Sequence, residues 1–425
     1  MLASIGEDLF RAVLQGAPPG TVYALVALGF VLAYKTSGVF NLAFGAQAYV
    51  SAIAFFKTNT SWGWPILPSL IVSVFILAPL LGLVLERVVF RHLRTAPPVA
   101  GLVVAIGLTI ALPALAGWAF QYKPQGGATP SGIVPRGNNV FYSVFGVYSF
   151  SRNELVAMIV ATLAALGLAA LFRFSMLGLR MRAVVESPRM TELNGIPADQ
   201  VSAAAWALSS FFAGLAGVLI APRFTNLAAG EYFNIVVIAI AAAAVGALVS
   251  LPRAYLGGLG LGITIALANT FIPKWSNDFT WLRPIQQNVT PAIPFLVLFG
   301  ILVFAPSIRQ ARGTADPLAG VDPPPAATVA STVTGARAWI GRGINVAIVA
   351  IALTVLFTRG DAVWVYLVTQ AVTMAVVFLS ITVITGMGGH ISLAQGVYAA
   401  IGGMTAFQLA DRYDVSVLVG TLIGA

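Results

Sequence analysis

Long tracts of this chain contain no Asp, Glu, Lys or Arg: Thr36–Phe56, Thr58–Leu85, Thr95–Tyr122, Gln200–Pro222, Pro284–Ile308 and Ala362–Ala410. About 20 consecutive apolar residues cross the hydrocarbon core of a bilayer as a helix. Charged residues make up 9% of the 425 positions and hydrophobic ones 59%, against roughly 25% charged in soluble proteins. Soluble and disordered readings are thereby excluded. The expected fold class is an all-α polytopic membrane protein.

The chemistry available to such a chain is narrow. There is no cysteine, so a disulfide framework, a thiol nucleophile and a cysteine metal site are ruled out. The histidines, His92 and His390, lie far apart in sequence, and neither a metal site nor a cofactor is expected. The net charge of +9 reads as loop charge of a membrane protein rather than as a nucleic-acid footprint. Glu7 and Asp8 precede Arg11, so there is no basic n-region and no removable signal peptide is expected.

Nine spans are placed in about the first 310 residues, near 16–34, 39–56, 66–88, 99–121, 153–173, 200–222, 232–250, 254–273 and 289–306. The second is rich in Gly, Ala and Gln and reads as broken or partly re-entrant; Pro113 is a candidate kink in the fourth. A Pro-rich linker over 309–342, centred on Asp322-Pro323-Pro324-Pro325, lacks the apolar surface to fold. Three further spans follow near 344–358, 365–385 and 390–410, and the chain stops at Ala425 inside what reads as another helix. The expected domains are thus 1–308, a linker over 309–342, and an incomplete second domain over 343–425.

Basic residues set the orientation. One set of alternate loops holds Lys35, Arg87, Arg91, Arg94, Arg173, Arg180, Arg182, Arg189, Arg253, Arg309, Arg312, Arg337 and Arg342; the other holds Arg11, Lys57, Lys123, Arg136, Arg152, Arg223, Lys274 and Arg283. The richer set is expected in the cytoplasm, with the N-terminus outside and the linker inside. The long outer loop 123–152 contains Val140–Phe150, where aromatic and small residues alternate around Phe145-Gly146. That pattern reads either as a β-hairpin or as an irregular loop.

Shifting the sequence by 351 positions aligns Ala24–Ala48 with Ala375–Ala399 and repeats Ala24, Val26, Leu28, Gly38, Leu42, Ala43, Gly45 and Ala48. Both copies run the same way through the membrane, a parallel repeat of the kind whose interface carries substrate in transporters. Asn41 and Ser392 stand at the two helix starts, where they could cap free N–H groups or line a path. Gly45, Gln47, Gln395 and Gly396 complete the candidate translocation set.

The segment Arg180–Pro197 holds a short helix. Ser187 suits an N-cap, Pro188 the first helical position and Gly195 a left-handed stop. Met190, Leu193 and Ile196 recur at spacing three and form an apolar face ringed by charge, suited to a protein partner or to the bilayer surface. This segment resembles the coupling loop of ATP-binding-cassette importer permeases, in the form found in branched-chain amino-acid permeases. Gly20–Gly29 resembles that family's first-helix signature, and Phe40-Asn41-Leu42-Ala43 with Gly45 its second. Glu86–Arg91 with Leu93-Arg94, Ala105–Leu108, Ala213–Leu219 and Leu251–Gly258 also fit. The likeness covers about 15–308. Residues 360–425, above all Gly386–Gly403, resemble the start of the family's other permease subunit, as if two subunits were fused with the second cut short.

The resemblance implies coupling to an ATPase through Arg180, Arg182, Ala183, Glu186, Ser187, Pro188, Arg189, Glu192, Leu193 and Gly195. It also implies two cytoplasmic ATPase copies, an extracytoplasmic substrate-binding protein, a branched-chain or other hydrophobic amino acid as substrate, and a cell-membrane location. Two departures stand out. The seventh-to-eighth-helix loop, Val245–Pro252, lacks one of the family's glycines, and Met190 and Thr191 replace small residues. The lysines, at 35, 57, 123 and 274, fit no phosphate-binding loop, so ATP hydrolysis is expected in another chain and this chain is not expected to be an enzyme. Acids lie at span ends, with Glu86 and Glu231 expected at the interface, which gives ion coupling little support. His390 reads as an interfacial residue or a substrate contact. Gly257, Gly258, Gly260 and Gly262 are expected to allow close helix packing. Urea or short amides remain an alternative substrate class, and an ATP-independent facilitator an alternative mechanism.

Overall fold

The computed structural model describes residues 2–37, 41–93, 98–122, 132–134, 140–144, 146–186, 188–247, 250–279, 282–304, 350, 354, 361–388 and 394–424. The expected linker and most of the 344–358 span lie outside them. The chain divides into two compact units, Met1–Asp322 and Pro323–Ala425.

The first unit contains helices α1 (Leu2–Ser37), α2 (Phe44–Phe56), α3 (Ile66–Leu70), α4 (Ala78–Val88), α5 (Pro98–Ala119), α6 (Arg152–Phe174), α7 (Met176–Glu186), α8 (Pro188–Leu193), α9 (Ala198–Ile220), α10 (Ala229–Val245), α11 (Leu251–Asp278) and α12 (Arg283–Phe304). Each of the nine spans expected in this unit meets a helix, and six described helices across the chain are long and apolar enough to cross a membrane. Boundaries differ where local chemistry was misread. Helix α1 begins well before residue 16 and runs through Pro18 and Pro19; the Thr21 hydroxyl donates to the Pro18 carbonyl at 2.8 Å. Helix α5 continues through Pro113. A π-helical stretch, Lys57–Ser61, extends α2, and another, Ile71–Leu77, joins α3 to α4.

Helix α2 sits at the centre. Every residue from Phe44 to Phe55 is buried, with α9, α5 and α10 packed around it. Helix α1 lies along α11 over a seam of small residues. A Cβ on Gly262 would fall 2.3 Å from Gly20 Cα, and one on Gly258 would fall 2.3 Å from Ala24 Cα. The expectation for Gly257 also holds, since its Cβ would meet the Ala242 carbonyl at 2.5 Å. Gly260 does not share the role: nothing lies within 4 Å of its added Cβ. Three of these glycines face a neighbour and the fourth does not because helical phase, not composition, decides direction.

The outer loop forms the hairpin. Strands β1 (Phe141–Val144) and β2 (Tyr148–Ser151) pair antiparallel, Phe141 opposite Ser151 and Val144 opposite Tyr148. Ser151 then caps α6 through a capping box with Glu154. Burial, and next the Glu154 carboxylate, raise the Tyr148 phenol above its ordinary value, with Arg223 opposing.

The ion pairs and long-range bonds respect the expected sides. Arg11 donates to the Val147 carbonyl at 3.0 Å, Arg223 pairs with Glu154 at 3.4 Å and Lys274 pairs with Asp8, all among residues assigned outside. Arg91 pairs with Asp199 at 2.9 Å, both assigned inside. Trp62, Trp64, Trp118 and Trp275 are exposed near helix ends that the basic residues assign outside, and indole rings favour a bilayer interface. Glu86, in the last turn of α4, is buried by protein, because α4 packs on α9 and the chain beyond folds back so that Phe90 stacks on Trp206 at 4.2 Å.

The loop expected to lack a family glycine contains a left-handed turn. Helix α10 ends at Gly246, and the next residue, Ala247, has φ +52°. A β-carbon there costs about 1 kcal/mol. Ala247→Gly is therefore expected to raise the thermal midpoint of the detergent-solubilised protein; an unchanged or lower midpoint would contradict this account.

The second unit contains α13 (Ala362–Gly388), α14 (Gln395–Tyr413) and α15 (Val417–Gly424), with α14 and α15 packed together. The repeat persists in its boundaries. Helices end at Ser37 and Gly388, begin at Phe44 and Gln395, and begin again at Ile66 and Val417, each pair separated by the 351-residue shift of the sequence match. The residues before the second helix of each copy also agree, with Ala43 at φ −75°, ψ 2° and Ala394 at φ −82°, ψ −3°.

Candidate functional site

Two places in the first unit gather the candidate residues. One is the buried entry to α2. Asn41 and Gln47 are fully buried. The Asn41 side chain is not a cap, since Ala43 occupies the N-cap and no side chain bonds there. Its amide instead donates to Gln47 Oε1 at 3.3 Å, and Ser210 on α9 donates to the same oxygen at 2.9 Å. Ser51 donates to the Gln47 carbonyl at 3.2 Å. Gly45 lies against α10, where an added Cβ would meet the Tyr232 carbonyl at 2.5 Å.

Asn41 Oδ1 and Gln47 Nε2 here, and Ser202 Oγ and Trp206 Nε1 further along α9, have no hydrogen-bond partner among the described residues. Buried polar groups are usually satisfied, so this row holds spare donors and acceptors in an apolar surround. Ser202, Trp206 and Ser210 recur every four residues and so share one stripe of α9. Sequence reading passed over them because small and aromatic residues blend into an apolar span; the four-residue recurrence was the available signal. Gln47→Leu leaves Asn41 and Ser210 without their acceptor. It is expected to cost about 1–3 kcal/mol, read as a lowered thermal midpoint, and a wild-type midpoint would show that the row is not coupled.

The second-copy candidates separate. Gln395 is buried at the start of α14, its Nε2 without a partner among the described residues. Gly396 faces open space. Ser392 and His390 lie outside the described residues.

The other place is the loop between α6 and α9. Sequence reading found α8 but missed α7, whose charged surface hid it. Ser175 marks its start, accepting from the Gly178 N–H at 3.0 Å, and Met181 and Val184 are buried beneath it. Arg180 and Arg182 are exposed, and Ala183 is half-buried. Helix α7 ends at Glu186 and α8 starts at Pro188. The Ser187 cap lies outside the described residues, as do the side chains of Glu186, Pro188 and Arg189.

Gly195 ends α8 as its residue type requires, at φ +79°. Its N–H bonds to the Glu192 carbonyl at 2.9 Å and that of Ile196 to the Thr191 carbonyl at 3.1 Å, the paired closure of a Schellman motif. The apolar face divides: Ile196 turns toward the core, while Met190 is 51% and Leu193 77% exposed, beside an exposed Glu192. The result is a rigidly terminated short helix that presents two apolar side chains outward. Among the described residues no group of three His, Asp or Glu side chains comes together to hold a metal.

Residues 13–306 match the family model described as branched-chain amino acid transport system / permease component. The high-affinity branched-chain amino acid transport system permease protein LivH of Escherichia coli K12 is 30% identical over 279 residues, covering 63% of this chain and 88% of that protein. The corresponding protein BraD of Pseudomonas aeruginosa is 31% identical over 265 residues, covering 60% and 85%. A probable branched-chain amino acid transport permease protein LivH of Methanocaldococcus jannaschii is 27% identical over 276 residues, covering 64% and 84%. No solved structure matches.

Proposed function

Because the chain belongs to the branched-chain amino acid transport permease family, we propose that it is the membrane subunit of an ATP-driven importer of branched-chain or similar hydrophobic amino acids, working in a bacterial cell membrane. The observation that carries the ATP-driven part is α8. A helix of this length has little stability of its own, yet it is stopped by Gly195 at φ +79° and exposes Met190 and Leu193. An ATPase subunit on the cytoplasmic face would seat these side chains, with Arg180, Arg182, Ala183, Glu186, Ser187, Pro188, Arg189 and Glu192 around them. Closure of two ATPase copies would push α8 and, through α7, the end of α6.

On the outer face the hairpin, tied down by Arg11 and leading into α6, offers the surface for an extracytoplasmic binding protein. The row of Asn41, Gly45 and Gln47 with Ser210 is closed in this conformation. Its spare donor and acceptor suit the ends of a zwitterionic amino acid when the bundle opens. In the second copy the 351-residue shift puts Ser392 at the position of Asn41, Gly396 at that of Gly45 and Gln395 at that of Phe44.

The test is co-purification with the cognate ATPase and uptake of labelled leucine. Met190→Glu with Leu193→Glu is expected to lose the ATPase and at least about nine-tenths of uptake, since each tenfold in binding is about 1.4 kcal/mol. The membrane unit's thermal midpoint is expected to stay at the wild-type value. Retention of both ATPase and uptake would sink the proposal.

A further inference from the structure

A groove of about 560 Å³ opens between α6 and α11 on the first unit. Its walls are apolar: Leu28, Leu166, Leu168, Phe172, Leu251 and Leu256 are among them. Two arginines, Arg173 and Arg182, stand in its lining, and no acidic side chain is present among the described residues that form it; the Arg173 guanidinium carbon lies 5.5 Å from the centre of the Phe174 ring. Both arginines are exposed, and both belong to the basic set that places this end of α6 in the cytoplasm. Toward the middle of α6 the lining ends at Thr162 and Tyr255, whose hydroxyls hydrogen-bond at 3.2 Å.

The dimensions match one lipid leaflet. From Thr162 to Arg173 α6 rises about 16 Å at 1.5 Å per residue, close to half of the roughly 30 Å hydrocarbon thickness. A cationic mouth at headgroup level, above an apolar slot one leaflet deep, is complementary to a molecule with an anionic head and an alkyl tail. A zwitterionic lipid would fit the slot but leave the paired charge uncompensated. A free phosphate would meet the arginines but leave the slot empty.

We propose that this groove is a binding site for one anionic phospholipid of the cytoplasmic leaflet, its phosphate held by Arg173 and Arg182 and one acyl chain lying between α6 and α11. The assignment rests on the membrane-spanning fold and not on the importer reading, so each can fail without the other. It gives α6 and α7, the two helices that lead to α8, a shared lipid contact at their junction.

The test is native mass spectrometry and thermal unfolding of the delipidated full-length protein after adding phosphatidylglycerol, phosphatidylethanolamine or inorganic phosphate. The wild type is expected to retain one phosphatidylglycerol in preference to phosphatidylethanolamine, with a raised thermal midpoint, and to show no response to inorganic phosphate. Arg173→Gln with Arg182→Gln is expected to weaken phosphatidylglycerol binding roughly twenty- to thirty-fold, at about a factor of five per basic residue near an anionic headgroup. Ala165→Phe, which fills the slot and keeps both arginines, is expected to lose retention as well. Equal retention of the two lipids by the wild type would overturn the proposal. So would undiminished phosphatidylglycerol binding by the double arginine variant. A response to inorganic phosphate as strong as that to the lipid, or full retention in Ala165→Phe, would show that the arginines bind a headgroup or phosphate alone and would overturn it too. Should Ala165→Phe fail to fold, the exposed arginine pair decides the question by itself.

Discussion

Gly262→Leu is expected to abolish the folded protein, and Gly260→Leu, two residues away, to leave it intact. A Cβ on Gly262 falls 2.3 Å from Gly20 Cα, 2.5 Å from Gly20 N and 2.6 Å from the Gly16 carbonyl oxygen. All three are main-chain atoms, so no side chain can rotate aside. The helices must separate, and the same seam holds Gly258 against Ala24 at 2.3 Å. Overpacking that side chains can absorb costs about 1–3 kcal/mol; here the loss should exceed about 3 kcal/mol, a large part of a total stability of roughly 5–15 kcal/mol. Lipid tails give no hydrophobic drive to bring helices back together, so close backbone approach carries the association. Size-exclusion profiles of fluorescently tagged variants in mild detergent would decide it. A monodisperse Gly262→Leu peak of wild-type height would refute the packing account, as would a collapsed Gly260→Leu.

Gly195→Val is expected to spare the membrane unit and stop transport. At φ +79° a β-branched residue costs upwards of about 1–2 kcal/mol. The six residues Pro188–Leu193 have no reserve to meet that, because so short a helix is stable only where its ends are fixed. The Schellman bonds to Glu192 and Thr191 would open, and Met190 and Leu193 would lose their fixed direction. Leucine uptake is expected to fall by about tenfold or more, equivalent to about 1.4 kcal/mol, with an unchanged thermal midpoint. Gly195→Asn, which tolerates the left-handed region, should retain most uptake. Wild-type uptake by Gly195→Val would remove α8 from the coupling path.

Those two glycines also divide what could be read in advance from what could not. Gly195 was legible because a local rule governs it: an N-cap candidate, a proline, a short apolar recurrence and then glycine spell a helix with a left-handed end. The hairpin at Phe141–Ser151, one of the two readings of Val140–Phe150, was local in the same sense. The spans were legible because a bilayer imposes length and neutrality on each helix separately. Helix α7 escaped because its 11 residues, Met176–Glu186, include Arg180 and Arg182 and are too few to register as a span.

The sequence by itself determined that this is a helical membrane protein, which loops share a side, where its short helix α8 stops, and that Ala24–Ala48 recurs as Ala375–Ala399. Each is a property of one segment in its own surroundings, set by backbone hydrogen bonding and by the cost of charge in hydrocarbon. Only the tertiary structure decided that Asn41 pairs with Gln47 and Ser210 rather than capping α2, that Glu86 is buried, that Ala247 takes the left-handed turn, and that Gly262 meets a backbone while Gly260 meets nothing. Those outcomes depend on which neighbouring helix lies opposite, at what rotation and within a few tenths of an ångström. Composition and spacing along one strand of chain do not carry that information.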